Sequence, residues 1–266
     1  MNNRIEGIMA PLVTPLREDG SVCEDSVRRL IDSLRGDATA LLPTLSSGEG
    51  GQLSRIQWEE MVRYTVHHAE GLPVYPGAIV LSDDELFSRI EFATQEGAAG
   101  MTVVIPPLGG DATASAQAHL ELVLERSPLP LFLYHLGTEG DAEMLVDALS
   151  TIGRLPRVLG LKESSRRPEI VQALNARGLP CGILQGWEDL LWKAPGAHGL
   201  AVALANLEIG VCAEMWRSPT PAGQSRIMTY CNRYGLFDDD WYAGIKAELY
   251  RRGVLSTPLT ATTACA

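Results

Sequence analysis

Val158-Leu159-Gly160-Leu161-Lys162-Glu163 is an unbroken apolar run that ends in a charged pair. A strand with one wet face alternates apolar and polar residues. A run without alternation suits a strand buried on both faces, as in a parallel sheet. Working outward from it, runs of the same kind recur at Gly7–Val13, Ala40–Leu45, Pro73–Ala78, Gly100–Ile105, Pro130–Tyr134, Cys181–Gln185 and Gly199–Ala203. With Val158–Lys162 they make eight candidate strands.

Helical patterns lie between them. Ser54-Arg55-Ile56-Gln57 and Ser82-Asp83-Asp84-Glu85 both have capping-box spacing. The first leads into Trp58, Met61, Val62 and Thr65 at helical spacing, the second into Leu86, Ile90 and Ala93. Thr113, Asp141 and Pro168 are further helix starts, and Gly36, Gly71, Gly97 and Gly178 suit left-handed helix ends. Strands alternating with helices indicate a parallel α/β fold. A (β/α)8 TIM barrel and an open doubly wound sheet share that count. No Gly-x-Gly-x-x-Gly follows the first strand, which weakens the dinucleotide-binding form of the open sheet. The 266 residues come close to the roughly 250 of a barrel. After Ala203 the strand signals stop, and Ala205–Trp216, Ala222–Tyr234 and Trp241–Arg251 read as helices. The expected organisation is a barrel over 1–218 and a short C-terminal helical extension over 219–266.

In such a barrel the chemistry sits at the C-terminal strand ends. Lys162 ends the sixth run. Burial beside apolar residues disfavours a lysine's ammonium form, and the neutral amine attacks ketones to form an imine. A surface lysine paired with Glu163 is the plainer alternative. Tyr134 ends the fifth run, where a phenol can relay protons or simply fill the rim. Ser46-Ser47-Gly48 follows the second run. Two hydroxyls, successive backbone N–H groups and a glycine make a cradle for a carboxylate, or an ordinary turn.

These segments resemble the dihydrodipicolinate synthase and N-acetylneuraminate lyase family, and the resemblance runs from about Gly7 to Leu259. It is carried by Gly7-Ile8-Met9-Ala10-Pro11-Leu12-Val13-Thr14-Pro15, Ser46-Ser47-Gly48-Glu49, Tyr134, Gly160-Leu161-Lys162-Glu163-Ser164, Gln185-Gly186-Trp187-Glu188, Gly199-Leu200-Ala201-Val202-Ala203 and Asn206, with Ile245-Lys246-Ala247 near the end. The resemblance implies a barrel-borne, Schiff-base aldolase or lyase acting on pyruvate or a related 2-oxo acid and an aldehyde. By the same resemblance Lys162 forms the imine and Tyr134 shuttles the proton. Ser46 and Ser47 hold the carboxylate beside Gly48, with a serine hydroxyl (Ser47 is the catalytic candidate) relaying protons. Val202 lines the pocket through its backbone. A dehydratase or hydratase-aldolase of the same family, and a non-catalytic 2-oxo-acid-binding relative, are the alternatives.

The sequence also departs from the family. Leu45 stands where a glycine precedes the hydroxyl pair, and Leu108 where synthases place a tyrosine. His135-Leu136-Gly137 replaces Asn-x-Pro. Glu139 falls about where synthases grip the second substrate's carboxylate with arginine, so an anionic partner is repelled. His135 is a candidate for the substrate's distal part or for acid–base work, and equally a rim histidine.

The formal net charge of −11 argues against nucleic acid and anionic membranes as partners. Five scattered cysteines without Cys-x-x-Cys spacing suit reduced thiols in the cytoplasm. No metal or cofactor is expected: adjacent His67 and His68 should face different ways, and Asp238-Asp239-Asp240 reads as a solvated helix cap. The resemblance further implies a homo-oligomer, dimer or tetramer.

Overall fold

Strands and helices alternate along the chain. The computed structural model describes residues 4–79, 82–137 and 140–264. In order they are β1 (Gly7–Ala10), α1 (Glu24–Leu34), β2 (Ala38–Leu41), α2 (Arg55–His68), β3 (Gly77–Ala78), α3 (Asp83–Glu96), β4 (Met101–Val104), α4 (Asp111–Arg126), β5 (Leu131–His135), α5 (Ala142–Ile152), β6 (Val158–Glu163), α6 (Pro168–Ala176), β7 (Gly182–Gln185) and β8 (Gly199–Leu200). Then come α7 (Ala205–Arg217), α8 (Pro221–Arg233), α9 (Trp241–Arg251) and the short α10 (Ala261–Ala264). All eight strands form one sheet in the order β2-β1-β8-β7-β6-β5-β4-β3, and every pair is parallel. The architecture is TIM-barrel-like with C-terminal helices. The two end strands approach each other: Leu41 bridges Val74, with Leu41 N donating to Pro73 O and Tyr75 N to Leu41 O.

The pleat sorts each strand into two layers. Leu131 and Leu133 face the helices with Leu161 and Ile183, in the larger core. Phe132, Tyr134 and Leu184 point the other way and join Met9, Leu42 and Leu45 in a separate interior cluster. Each fully buried aliphatic side chain in these layers contributes roughly 1.5–3 kcal/mol.

Most helix ends follow the local signals. Ser54 makes the complete capping box with Gln57, Ser82 accepts from Glu85 N, Asp141 caps α5, and Pro168 opens α6. Gly36, Gly71, Gly97 and Gly178 all adopt positive φ. Three expectations need correction. Helix α4 begins at Asp111 after Gly110, earlier than Thr113, whose hydroxyl instead accepts from Gly109 N. Between β7 and β8 a single 3-10 turn, Glu188–Leu190, stands where a barrel helix belongs. Asp240 makes no side-chain cap bond to α9.

The C-terminal helices are stapled to the sheet's rim. Lys246 of α9 is fully buried and pairs with Glu49, at the end of the Ser46-Ser47-Gly48 loop. Lys246 Nζ also donates to Leu259 O, and Ala261 N donates to Glu49 Oε2. Burial pushes the Lys246 ammonium down and Glu49 opposes the shift.

Candidate active site

Strand β6 pairs with β5 so that Lys162 stands beside Tyr134 on the interior face. The Lys162 Nζ lies 4.4 Å from the Tyr134 ring centroid. Both side chains are buried, at 5% and 4% exposure. Among the described residues no carboxylate or other acceptor is paired with the Lys162 amine. Gly186, just after β7, gives it room, because a Cβ there would stand 2.9 Å from Lys162 Cε.

The loop after β2 comes in from the other side. Thr44 and Glu49 bracket it in left-handed conformations, at φ 61° and 57°. Such strain persists only where surrounding contacts hold it. Here Thr44 Oγ1 donates to Gly77 O and accepts from Gly77 N, both at 3.0 Å, while Thr14 Oγ1 donates to Gly48 O at 2.7 Å. Leu45 fills the interior against Gly77, where even a Cβ would collide with its side chain. The extra bulk at 45 is thus matched by the absence of a side chain at 77. The loop brings the Ser46 hydroxyl 3.4 Å from the Tyr134 hydroxyl.

A cavity of about 580 Å³ opens from this point. Lys162, Tyr134, Ser46 and Ser47 all line it. The other candidates lie off its wall. Gly48 is buried in the turn beneath, and Val202 belongs to the helix-facing core while its neighbours Ala201 and Ala203 face the cavity. The pleat turns His135 and Glu163 to the opposite side from Tyr134 and Lys162. There His135 Nδ1 lies 3.1 Å from Glu163 Oε1, which also accepts from Ser165 N at 2.9 Å, in a pair 2% and 0% exposed. His135 therefore braces the strand ends. Leu108 packs against the helix-facing core, and Asn206 ties Pro11 O and Val13 N to the start of α7. Glu139 lies outside the described residues.

Several cavity residues were not singled out from sequence. Glu188 is buried against it, accepting from Leu204 N, and burial holds its carboxyl above the usual range against the opposing pull of Lys162. The buried Ser164 Oγ, on the cavity wall, has no hydrogen-bond partner among the described residues. Arg166 takes φ 64°, stacks its guanidinium 4.3 Å from the Trp187 ring and pairs with Asp189 at 2.6 Å. Their position one to four residues beyond a strand end was the available signal. Phe237, Asp238 and Asp239 of the turn between α8 and α9, and Trp241 at the start of α9, reach the same cavity, for which the sequence carries no local sign.

Away from this cavity, Glu24, His67 and His68 bring their ligand atoms within 4.8 Å of one another. The two imidazoles, expected to diverge, meet edge to face at 4.6 Å, with His68 Nε2 3.1 Å from Glu24. The third lysine, Lys193, is exposed. No helix among the described residues is long and apolar enough to cross a membrane.

Residues 4–261 match the dihydrodipicolinate synthetase family. A 4-hydroxy-tetrahydrodipicolinate synthase of Methylobacterium radiotolerans is 27% identical, over 97% of this chain and 89% of its own. The solved dihydrodipicolinate synthase of Bacteroides thetaiotaomicron superposes with a TM-score of 0.85 at 26% identity, covering 96% of this chain and 92% of that one. An N-acetylneuraminate lyase from Mycoplasma synoviae shares the fold, with a TM-score of 0.77 at 17% identity over 94% of this chain and 88% of that one.

Proposed function

The chain belongs to the dihydrodipicolinate synthetase family, and from that premise we propose that it is a Schiff-base aldolase or lyase acting on pyruvate or a related 2-oxo acid, with Lys162 as the imine-forming residue. The observation that carries the reading is the trio of Lys162, Tyr134 and Ser46 converging on one cavity.

The unpaired Lys162 amine adds to the ketone carbon. The Tyr134 hydroxyl, within reach of Ser46 Oγ, passes the proton that lets water leave, giving the imine. The Tyr134 phenolate left by that step takes a C3 proton, making the enamine, whose carbon attacks an aldehyde. Tyr134 then protonates the alkoxide, and water releases the product. Cleavage runs the same steps backwards. Ser47, with the backbone around Gly48, holds the 2-oxo acid's carboxylate, and Val202 shapes the facing wall through its backbone. The distances favour Ser46 over Ser47 as the hydroxyl in the relay.

The wider reading goes with this mechanism. The sheet is a closed (β/α)8 barrel, supported by the Leu41–Val74 bridge. Residues 1–218 carry the chemistry and 219–266 supply the outer rim. The protein is a cytoplasmic homo-oligomer, a place supported by its buried free thiols Cys23, Cys181, Cys212 and Cys231.

Borohydride reduction with pyruvate tests the mechanism. The expected result is a mass increase on the peptide holding Lys162. An adduct on Lys193 or Lys246, or none with pyruvate and longer 2-oxo acids, rejects it.

A further inference from the structure

The deep end of the cavity is polar and small; its mouth is wider and combines apolar wall with charged side chains. There the wall is made by Trp187, Leu136 and Leu236, with Phe237 from the turn before α9 and Trp241 from its first position. Leu136 and Phe237 remain 40% and 39% exposed, so apolar surface faces the opening rather than the core. The Trp187 indole is fixed in place, its Nε1 donating to Ser164 O at 2.8 Å and its backbone N to Gln185 Oε1 at 2.9 Å. A cavity of about 580 Å³ leaves ample room beyond a three-carbon oxo acid.

The charge at the mouth excludes a second class of partner. Arg166 is the cation there among the described lining residues, Lys162 lying at the deep end, and its guanidinium is already committed to Asp189 and the Trp187 face. Asp238 and Asp239 add two carboxylates without a matching cation among the described lining residues. An aldehyde with its own carboxylate or phosphate would meet like charge on entry.

We propose that the aldehyde partner is an uncharged aromatic one, its ring packing against Trp187, Phe237 and Trp241. This specificity rests on the imine reading above. The reaction balances without a further reagent. The enamine C3 of pyruvate bonds to the aldehyde carbon, and the carbonyl π pair becomes an alkoxide that takes a proton from Tyr134. Water then cleaves the imine, returning free Lys162 and a 4-aryl-4-hydroxy-2-oxobutanoate. Aromatic groups gain most from packing on aromatic walls, in edge-to-face or offset contact.

The test uses the full chain with pyruvate and, in turn, benzaldehyde, succinate semialdehyde and glyceraldehyde, with products followed by mass spectrometry. Benzaldehyde is expected to give the highest kcat/KM, about tenfold or more above the anionic semialdehyde, and Phe237→Ala or Trp241→Ala to raise its KM by about tenfold. The pyruvate imine, trapped separately with borohydride, reports on the deep end alone. An imine that forms while benzaldehyde turns over no faster than the other two overturns the aromatic specificity and leaves the mechanism standing. No imine at all overturns both. Variants whose KM for benzaldehyde is unchanged also reject the aromatic mouth.

Discussion

Lys162 and Lys246 are both buried, yet their surroundings differ in the one respect that decides what a lysine does. Lys246 has its charge answered: Glu49 pairs with it, Leu259 O accepts from it, and it does not line the cavity that Lys162 faces. Lys162 is nearly as buried but faces a cavity, with the Tyr134 ring for a neighbour and the Ser46 hydroxyl close to that of Tyr134. Burial alone therefore does not distinguish the two amines; the proposed reactivity of Lys162 rests on burial beside open space without a directly paired carboxylate among the described residues.

The largest expected effect breaks the pair apart. Lys162→Ala should abolish turnover and borohydride trapping, a loss of about a thousandfold or more, with little change in thermal stability. Lys246→Ala should do the reverse. It strands Glu49 in the core, which costs about 3–5 kcal/mol, while the folded fraction still traps pyruvate. Denaturant melts alongside trapping read both at once. A Lys246→Ala protein that keeps its stability would erase the contrast.

Next in size is the relay. Tyr134→Phe should lower kcat by about 10²–10⁴. Ser46→Ala should follow it in kcat, and Ser47→Ala should act mainly on KM for the oxo acid. Equal kcat losses from the two serines would mean that the 3.4 Å approach of Ser46 to Tyr134 does not choose between them.

A third test concerns Glu188, the acid that burial lifts above its usual 4.5. The native state holds this proton more tightly than the unfolded chain does. Its stabilising contribution is full below about pH 4.5 and is lost as pH rises through the higher native value. Relative to the parent protein, Glu188→Gln should gain stability as pH rises across that window, read as melting temperature against pH. A flat difference would place the carboxyl in water. The smallest effect is remote from both lysines: Ser54→Ala, removing the α2 capping box, should cost about 1 kcal/mol and leave trapping untouched.

Most of the inner architecture could be read from residue order. Val158–Glu163 and its counterparts are visible because a strand buried on both faces has no polar interruption, and the ends of such strands name Lys162 and Tyr134. What the run does not show is which side of the pleat each rim residue takes. His135 is one residue from Tyr134 and so points away from it; recognising that needed the register Tyr134–Lys162 and His135–Glu163. The mouth was harder still. Phe237 and Trp241 reach the cavity only because the C-terminal helices fold back, anchored by a pair, Glu49–Lys246, that lies far apart in the sequence. Such long-range placement leaves no periodic trace. The missing helix between β7 and β8 was hidden for a related reason, since Glu188–Leu190 begins with acceptable helix-forming residues.

The scarcity of lysine has a practical side. With Lys162 and Lys246 buried, Lys193 is the single lysine side chain that faces solvent. An amine-directed dye, biotin ester or resin should therefore attach at one side-chain position, outside the cavity wall, and give a uniformly oriented, still accessible catalyst on a surface.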